Sequence, residues 1–294
     1  MRKTLTAALF LTLLSGCNGS NSVPPPATST GIDTDFVVQG RYIMESEAPA
    51  STSAASLRVR PASLGAAKKF YIKGLVYWPT PIGKNVADAP MLNNALNDGN
   101  AAVWKRDLPL MRALGANAIH VYNVTPPGFD EKTGPITNFL TAAWNGGQNP
   151  IYVLMSIHFN GDALLNSGAV SSLAQQYHDL DMKYAKYPAV FGVTISNEIG
   201  ANNFITNQQW WNGFNTVARA AKQGFADGGD ANKIVTTSEP DGLIGFVKAG
   251  EKFGAAVDAW GINIYRGRTF TGLFEQLKAT TNKPTMLTEY GAPA

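Results

Sequence analysis

From residue 70 onward, short apolar runs alternate with helical or loop segments, and this alternation leaves few folds open. Strand, crossover, strand in that rhythm argues for a parallel sheet covered by helices. Residues 70–77, 118–122, 151–157, 190–196, 234–237, 257–264 and 285–288 read as strands. A helix is expected over 107–114, with Asp107 as its cap, Pro109 in its first turn and Gly115 at its end. Another is expected over 173–187, stopped by Pro188. Trp210, Phe214, Val217, Ala218, Ala221 and Phe225 mark one face of a third at the 3.6-residue period. The α/β architecture that fits is the (β/α)8 TIM barrel. Its eighth strand and helix are not visible; either the lead-in contributes a strand or the sequence is a fragment, and the fragment is the favoured reading. An open doubly wound sheet competes, but no Gly-x-Gly-x-x-Gly opens a helix and no phosphate-loop lysine motif occurs.

The N-terminus has another character. Arg2 and Lys3 precede an apolar run from Leu5 to Leu14, too short to span a bilayer, and small residues lead to Cys17. Residues 1–17 read as a secretory signal, and Leu14-Ser15-Gly16-Cys17 resembles the bacterial lipobox. That resemblance implies lipidation at Cys17 and a lipid-anchored protein of the bacterial cell envelope, at the outer membrane or facing the periplasm. Cys17 is the only cysteine, which excludes an intrachain disulfide and a cysteine nucleophile in the body of the chain. Residues 18–66 are expected to be a linker and irregular lead-in. The first part is a Ser/Pro/Gly/Thr-rich tether; strand-like pieces follow at 36–38 and 57–60, with a loop-like stretch over 45–56. Residues 67–294 form the barrel domain, expected to be monomeric.

A net charge of +3 and 15% charged residues, with no basic tract, argue against a nucleic-acid partner. The three histidines, His120, His158 and His178, match no metal-ligand spacing, and no metal or cofactor is expected. Asp179 and Asp181 share a helix with Lys183 and Lys186 and read as a solvated, paired face.

Two glutamates carry the chemistry. Glu198 ends the apolar run Gly192-Val193-Thr194-Ile195-Ser196-Asn197-Glu198, and Glu289 ends Pro284-Thr285-Met286-Leu287-Thr288-Glu289. Both are expected at the C-terminal ends of barrel strands, where two facing carboxyls are equipped to break a glycosidic bond. Glu239 follows the fifth strand and is assigned no role.

Several phrases, in order, carry a family resemblance. They are Phe70 to Tyr77, Arg106 to Asn117 with Ala118-Ile119-His120-Val121-Tyr122, Ser196-Asn197-Glu198, Trp260 to Tyr265, and Lys283 to Ala292. Together they resemble the retaining clan of TIM-barrel glycoside hydrolases, and most closely its beta-1,3-glucanosyltransferase family. The last phrase is also similar to beta-galactosidases and beta-glucuronidases. The resemblance implies a beta-linked glucan or related polysaccharide as substrate, Glu198 as general acid/base and Glu289 as nucleophile. It places Asn197 on the sugar 2-hydroxyl and Tyr265 on the nucleophile, with His120 beside Glu289. Tyr77, Trp78 and His158 would line the cleft. The family usually has arginine where this chain has His120. Hydrolysis is the default activity; transglycosylation by the same pair, a non-catalytic carbohydrate-binding lipoprotein and a structural envelope protein are the alternatives.

Overall fold

The computed structural model describes residues 33–48, 68–79, 96–124, 136–200, 204–240, 244–266 and 269–291. The signal segment with Cys17 and the strand-like piece at 57–60 lie outside the described residues.

The apolar runs form the strands expected of them, with shorter bounds. β1 (Asp33–Gln39), β2 (Tyr42–Ala48) and β3 (Lys68–Lys69) make an antiparallel sheet. β4 (Gly74–Val76), β5 (Ala118–His120), β6 (Tyr152–Ser156), β7 (Val190–Thr194) and β8 (Ile234–Thr236) form a parallel sheet in that order. β9 (Glu239–Pro240), β10 (Trp260–Ile264) and β11 (Thr285–Tyr290) form a second parallel sheet, with β10 central. β11 runs beside β4. Within each parallel sheet the strands lie side by side in sequence order, the winding of a barrel, and the fold is α/β with a helix-flanked parallel sheet in a partial (β/α)8 arrangement.

The two parallel sheets meet where one chain segment, 234–240, pairs first with β7 and then with β10. Threonine hydroxyls replace ladder bonds at this join. Thr236 donates to the Ala259 carbonyl (2.9 Å) and Thr237 to that of Gly261 (3.0 Å). A Cβ on Gly261 would lie 1.9 Å from the Thr237 carbonyl oxygen, so the approach requires glycine.

β6, β7 and β10 are buried at every position, as strands covered on both faces should be. Helices supply the cover: α1 (Ala101–Ala113), α2 (Thr137–Trp144), α3 (Ser167–Tyr184), α4 (Gln208–Asp227), α5 (Ile244–Lys252) and α6 (Leu273–Thr280). The side chain of Asn207 caps α4 by accepting the N–H groups of Gln209 and Trp210. The apolar face of α4 from Trp210 to Phe225 is fully buried, as its 3.6-residue spacing requires.

Four expectations need correction. α1 starts six residues earlier than expected, because a capped turn at Asn97 leads straight into Ala-Ala-Val-Trp, all in helical geometry. Asp107 caps nothing; it accepts the Tyr77 hydroxyl at 3.0 Å, and Pro109 lies inside the helix. The first strand is divided. Lys68 and Lys69 pair with β2, and the Lys73 N–H then turns to the Asn117 side chain (2.7 Å). The lead-in is not irregular over 33–48: it forms a hairpin that includes part of the stretch read as loop-like. The hairpin is held by its core contact. Phe36, 5% exposed, sets its ring 4.7 to 4.9 Å from those of Phe70, Tyr152 and Phe191, at the N-terminal end of the barrel. The fourth correction concerns Asp181, which faces inward, fully buried and without an ion pair among the described residues. Asp179 meets Gln175 and His178 instead of a lysine.

Candidate active site

The chain leaves β7 at Thr194 and turns through two left-handed residues, Ser196 (φ 58°) and Glu198 (φ 54°). Each such residue other than glycine costs roughly 1–3 kcal/mol and persists only where its surroundings hold it. Here they hold it from both sides. The Ser196 N–H donates to the Tyr177 hydroxyl (2.9 Å) and its own hydroxyl to the Phe159 carbonyl (3.0 Å). On the other side the Glu198 N–H donates to the Ser238 carbonyl (2.8 Å), and the N–H groups of Ile199 and Gly200 go to the Glu239 carboxyl (3.3 and 2.8 Å). The result is an exposed Glu198 at the C-terminal end of the barrel.

Glu289 reaches the same place from β11 and is 7% exposed. The β10–β11 register jumps here: Ile262 pairs with Leu287 but Asn263 with Glu289, so Thr288 is the extra residue of a bulge. In a regular strand Thr288 and Glu289 would face opposite ways. The bulge lets both reach Asn263. Thr288 donates its hydroxyl to Asn263 Oδ1 (2.7 Å), and Ser238 approaches the same oxygen at 2.9 Å. With Oδ1 so occupied, Nδ2 turns to Glu289 Oε1 (2.9 Å), Glu198 Oε1 (3.0 Å) and Asn197 Oδ1 (3.1 Å). One amide nitrogen thus lies 2.9 Å from one carboxyl and 3.0 Å from the other, so those two oxygens are at most 5.9 Å apart. Carboxyls about 5–5.5 Å apart suit double displacement, whereas single displacement through water needs about 6.5–9.5 Å.

The Tyr265 hydroxyl donates to Glu289 Oε2 at 2.7 Å, and that bond is the first cause pushing its phenol up to about 12. It therefore stays a donor across the range where proteins work. Tyr122 also faces Glu289, its phenol raised first by burial and then by the carboxylate. Trp78 packs against Tyr122 with the rings tilted at 52° and their centroids 4.7 Å apart, and its indole nitrogen is buried without a partner among the described residues.

His120 lies under Tyr122, ring centroids 5.1 Å apart. The Thr288 carbonyl faces the ring, yet neither ring nitrogen meets a partner at hydrogen-bonding geometry among the described residues, and no hydrogen bond links His120 to Glu289. Burial pushes its pKa down from 6.5 to about 4, so the ring is neutral near pH 7 and brings no charge to the carboxyl pair. Between pH 4 and 6.5 the unfolded chain binds the proton that the folded one refuses, so acidification removes stability, on the order of 3 kcal/mol at full effect. His120→Gln should lose this dependence. Urea titrations at pH 4.5 and 7 should show the variant gaining on wild type as pH falls; a difference independent of pH would contradict the assignment.

The structure brings Glu198, Glu289, Asn197 and Tyr265 into one cluster with Trp78 and His120 at its margin. Tyr77 is not part of it: its ring is buried beside Phe139 and its hydroxyl bonds Asp107, because the side chain turns to α1. His158 is exposed past β6, its backbone N–H held by Asn123, and no hydrogen bond ties it to the pair. Cys17 lies outside the described residues. Sequence reasoning passed over Ser238, Thr288, Tyr122 and the role of Asn263, and noted Glu239 after the fifth strand without giving it a role. An asparagine within the apolar run Trp-Gly-Ile-Asn-Ile was the available signal, since a buried amide must find partners.

No protein-family model and no curated protein matches the chain. Solved structures do. A GH2 beta-galacturonidase from Eisenbergiella tayi bound to galacturonate superposes with a TM-score of 0.56 at 16% identity, covering 89% of this chain and 39% of that one. Saccharomyces cerevisiae Gas2p, in complex with laminaritetraose and laminaripentaose, gives 0.58 at 18% identity, covering 88% and 53%. Bifidobacterium dentium beta-glucuronidase gives 0.57 at 14% identity, covering 89% and 36%. The chain thus spans between one third and about half of these proteins. At these identities the likeness is one of fold alone, and it singles out no family.

Proposed function

We propose that this chain carries a retaining glycoside hydrolase site for beta-linked glucan. The observation that supports it most is the pair Glu198 and Glu289 sharing the Asn263 amide, with their nearest bonded oxygens within 5.9 Å. In this reading Glu289 attacks the anomeric carbon while Glu198 protonates the departing glycosidic oxygen. The C–O bond breaks and a glycosyl ester forms on Glu289. Glu198, now a carboxylate, takes a proton from water; the oxygen attacks the anomeric carbon and Glu289 leaves as carboxylate. Tyr265 and Asn263 orient the nucleophile, and Asn197 is assigned to the sugar 2-hydroxyl. The laminari-oligosaccharides held by the yeast neighbour agree with a beta-1,3-glucan as the class to test first.

Transfer to an acceptor sugar uses the same pair and differs only in what attacks the ester. The neutral His120, in the place where the resembling family has arginine, favours keeping a non-catalytic, carbohydrate-binding reading as the alternative to both. Lipid anchoring at Cys17 and a place in the bacterial envelope belong to the proposal on the strength of residues 1–17 alone.

The test is direct. A 2-deoxy-2-fluoro glucosyl donor with a good leaving group should leave one sugar on the peptide containing Glu289, read by mass spectrometry. Incubation with laminaripentaose should give shorter chains for hydrolysis, and chains longer than the donor for transfer. No adduct and no product from any beta-glucan would sink the catalytic reading.

A further inference from the structure

Glu239 stands directly behind the turn that carries Glu198. It is 2% exposed, and no cation is paired with it among the described residues. Its two oxygens are used separately, Oε1 for the Ile199 N–H (3.3 Å) and Oε2 for the Gly200 N–H (2.8 Å). Those are the two residues that follow the left-handed Glu198. The Ser238 carbonyl, one residue earlier on the same strand end, takes the Glu198 N–H itself. Three consecutive N–H groups of the turn are therefore satisfied by two consecutive residues, 238 and 239. Gly200 is fitted to this contact: a Cβ there would lie 2.8 Å from Glu239 Oε2 and 2.4 Å from the Phe246 ring.

A buried carboxyl is a costly way to satisfy two amides unless the turn needs holding. This turn does, because Ser196 and Glu198 both sit in a backbone region that relaxes once its partners leave. We propose that Glu239 is the positioning residue of the acid/base turn, gripping the Ile199 and Gly200 N–H groups so that Glu198 is held facing Glu289. The inference rests on the reading of Glu198 as acid/base. Burial pushes the Glu239 carboxyl up to about 8, the two N–H groups pull it down and the charge on Glu198 adds to the rise. The group that holds the turn thus also feels the state of the residue it positions.

A positioning role has a signature that lost stability lacks. Departure of a sugar hydroxyl needs the acid, whereas departure of fluoride or a dinitrophenolate does not. Glu239→Gln, which keeps the shape but puts an amide N–H against a backbone N–H, should lower kcat on laminaripentaose by about 10²-fold, the scale of a misplaced catalytic group. Formation of the glycosyl-enzyme from an activated aryl glucoside should change less than about threefold, since that step leans on Glu289 and not on general acid help. Glu239→Asp, one methylene short of the amides, should behave the same way and serves if the glutamine variant does not fold. Hydrogen exchange at the Ile199 and Gly200 amides should speed at least tenfold in either variant (a readout that does not depend on turnover). Equal losses with both donors, or unchanged exchange at 199 and 200, would overturn the proposal. Faster exchange in a protein whose wild type turns over neither donor would instead overturn the glycosidase reading while leaving the grip on the turn standing.

Discussion

Glu289→Gln should reduce turnover of laminaripentaose by at least about 10³-fold while leaving the fold intact. The amide is isosteric with the carboxylate: its oxygen can accept from Asn263 and its NH2 can donate to the Tyr265 hydroxyl oxygen, so the cluster around Asn263 keeps its shape. What it loses is the nucleophile, and no other carboxyl meets Asn263 from that side. Glu198→Gln should fail differently. Losing a general acid costs about 10²–10⁴-fold on a poor leaving group. An activated aryl glucoside should still load Glu289, and the ester should then accumulate because no base activates water. Added azide, which needs no base, should release it as the glycosyl azide. The measurements are kcat on both donors, intact mass of the enzyme, and melting temperature as a control for folding. Turnover of Glu289→Gln within tenfold of wild type would end the double-displacement account with Glu289 as nucleophile.

The second large effect concerns Asp181, on the inner face of α3. It is fully buried, neither carboxyl oxygen has a partner among the described residues, and burial alone raises its pKa well above the ordinary 3.8. The folded state therefore keeps a proton that the unfolded chain releases. Stability conferred by this difference is greatest below pH 3.8 and falls as pH rises toward the raised value. Each pH unit in that window removes about 1.4 kcal/mol. Asp181→Asn, neutral at every pH, should match wild type near pH 4 and gain on it as pH rises toward neutrality. Asp181→Leu should show the same trend with better burial energetics. Urea denaturation across pH 4 to 8 reads the difference directly. Subtracting wild type cancels the opposite slope contributed by His120. A variant no more stable than wild type at pH 7 would show that the carboxyl is ionised and paired in solution.

The pattern of the chain predicted its elements better than their ends. Runs such as 151–157 and 190–196 announce covered strands because apolar residues follow one another with only small hydroxyl residues and a glycine between them. The stripe from Trp210 to Phe225 announces a helix because its face is buried on one side only. α1 was cut short because Asp107 looks like a cap, and nothing local says that it serves Tyr77 from inside the helix. Asp181 looked solvated for a similar reason: acidic and basic residues share its helix, and only the packing of α3 decides which face turns inward. Phe36 lies in a stretch of weak pattern and is explained by three rings that come from distant parts of the chain.

By itself, the amino-acid order determined the alternation of strand and helix, and with it the α/β class and the location of Glu198 and Glu289 near strand ends. These are local properties, written in repeats of two and 3.6 residues. Only the tertiary structure decided that Asn263 bridges the two carboxyls, that a bulge at Thr288 turns Glu289 toward it, and that Glu239 grips the turn behind Glu198. Those features depend on register and on hydrogen bonds between residues tens of positions apart. No periodicity records them, because a strand's neighbour and its offset are set by the packing of the whole barrel.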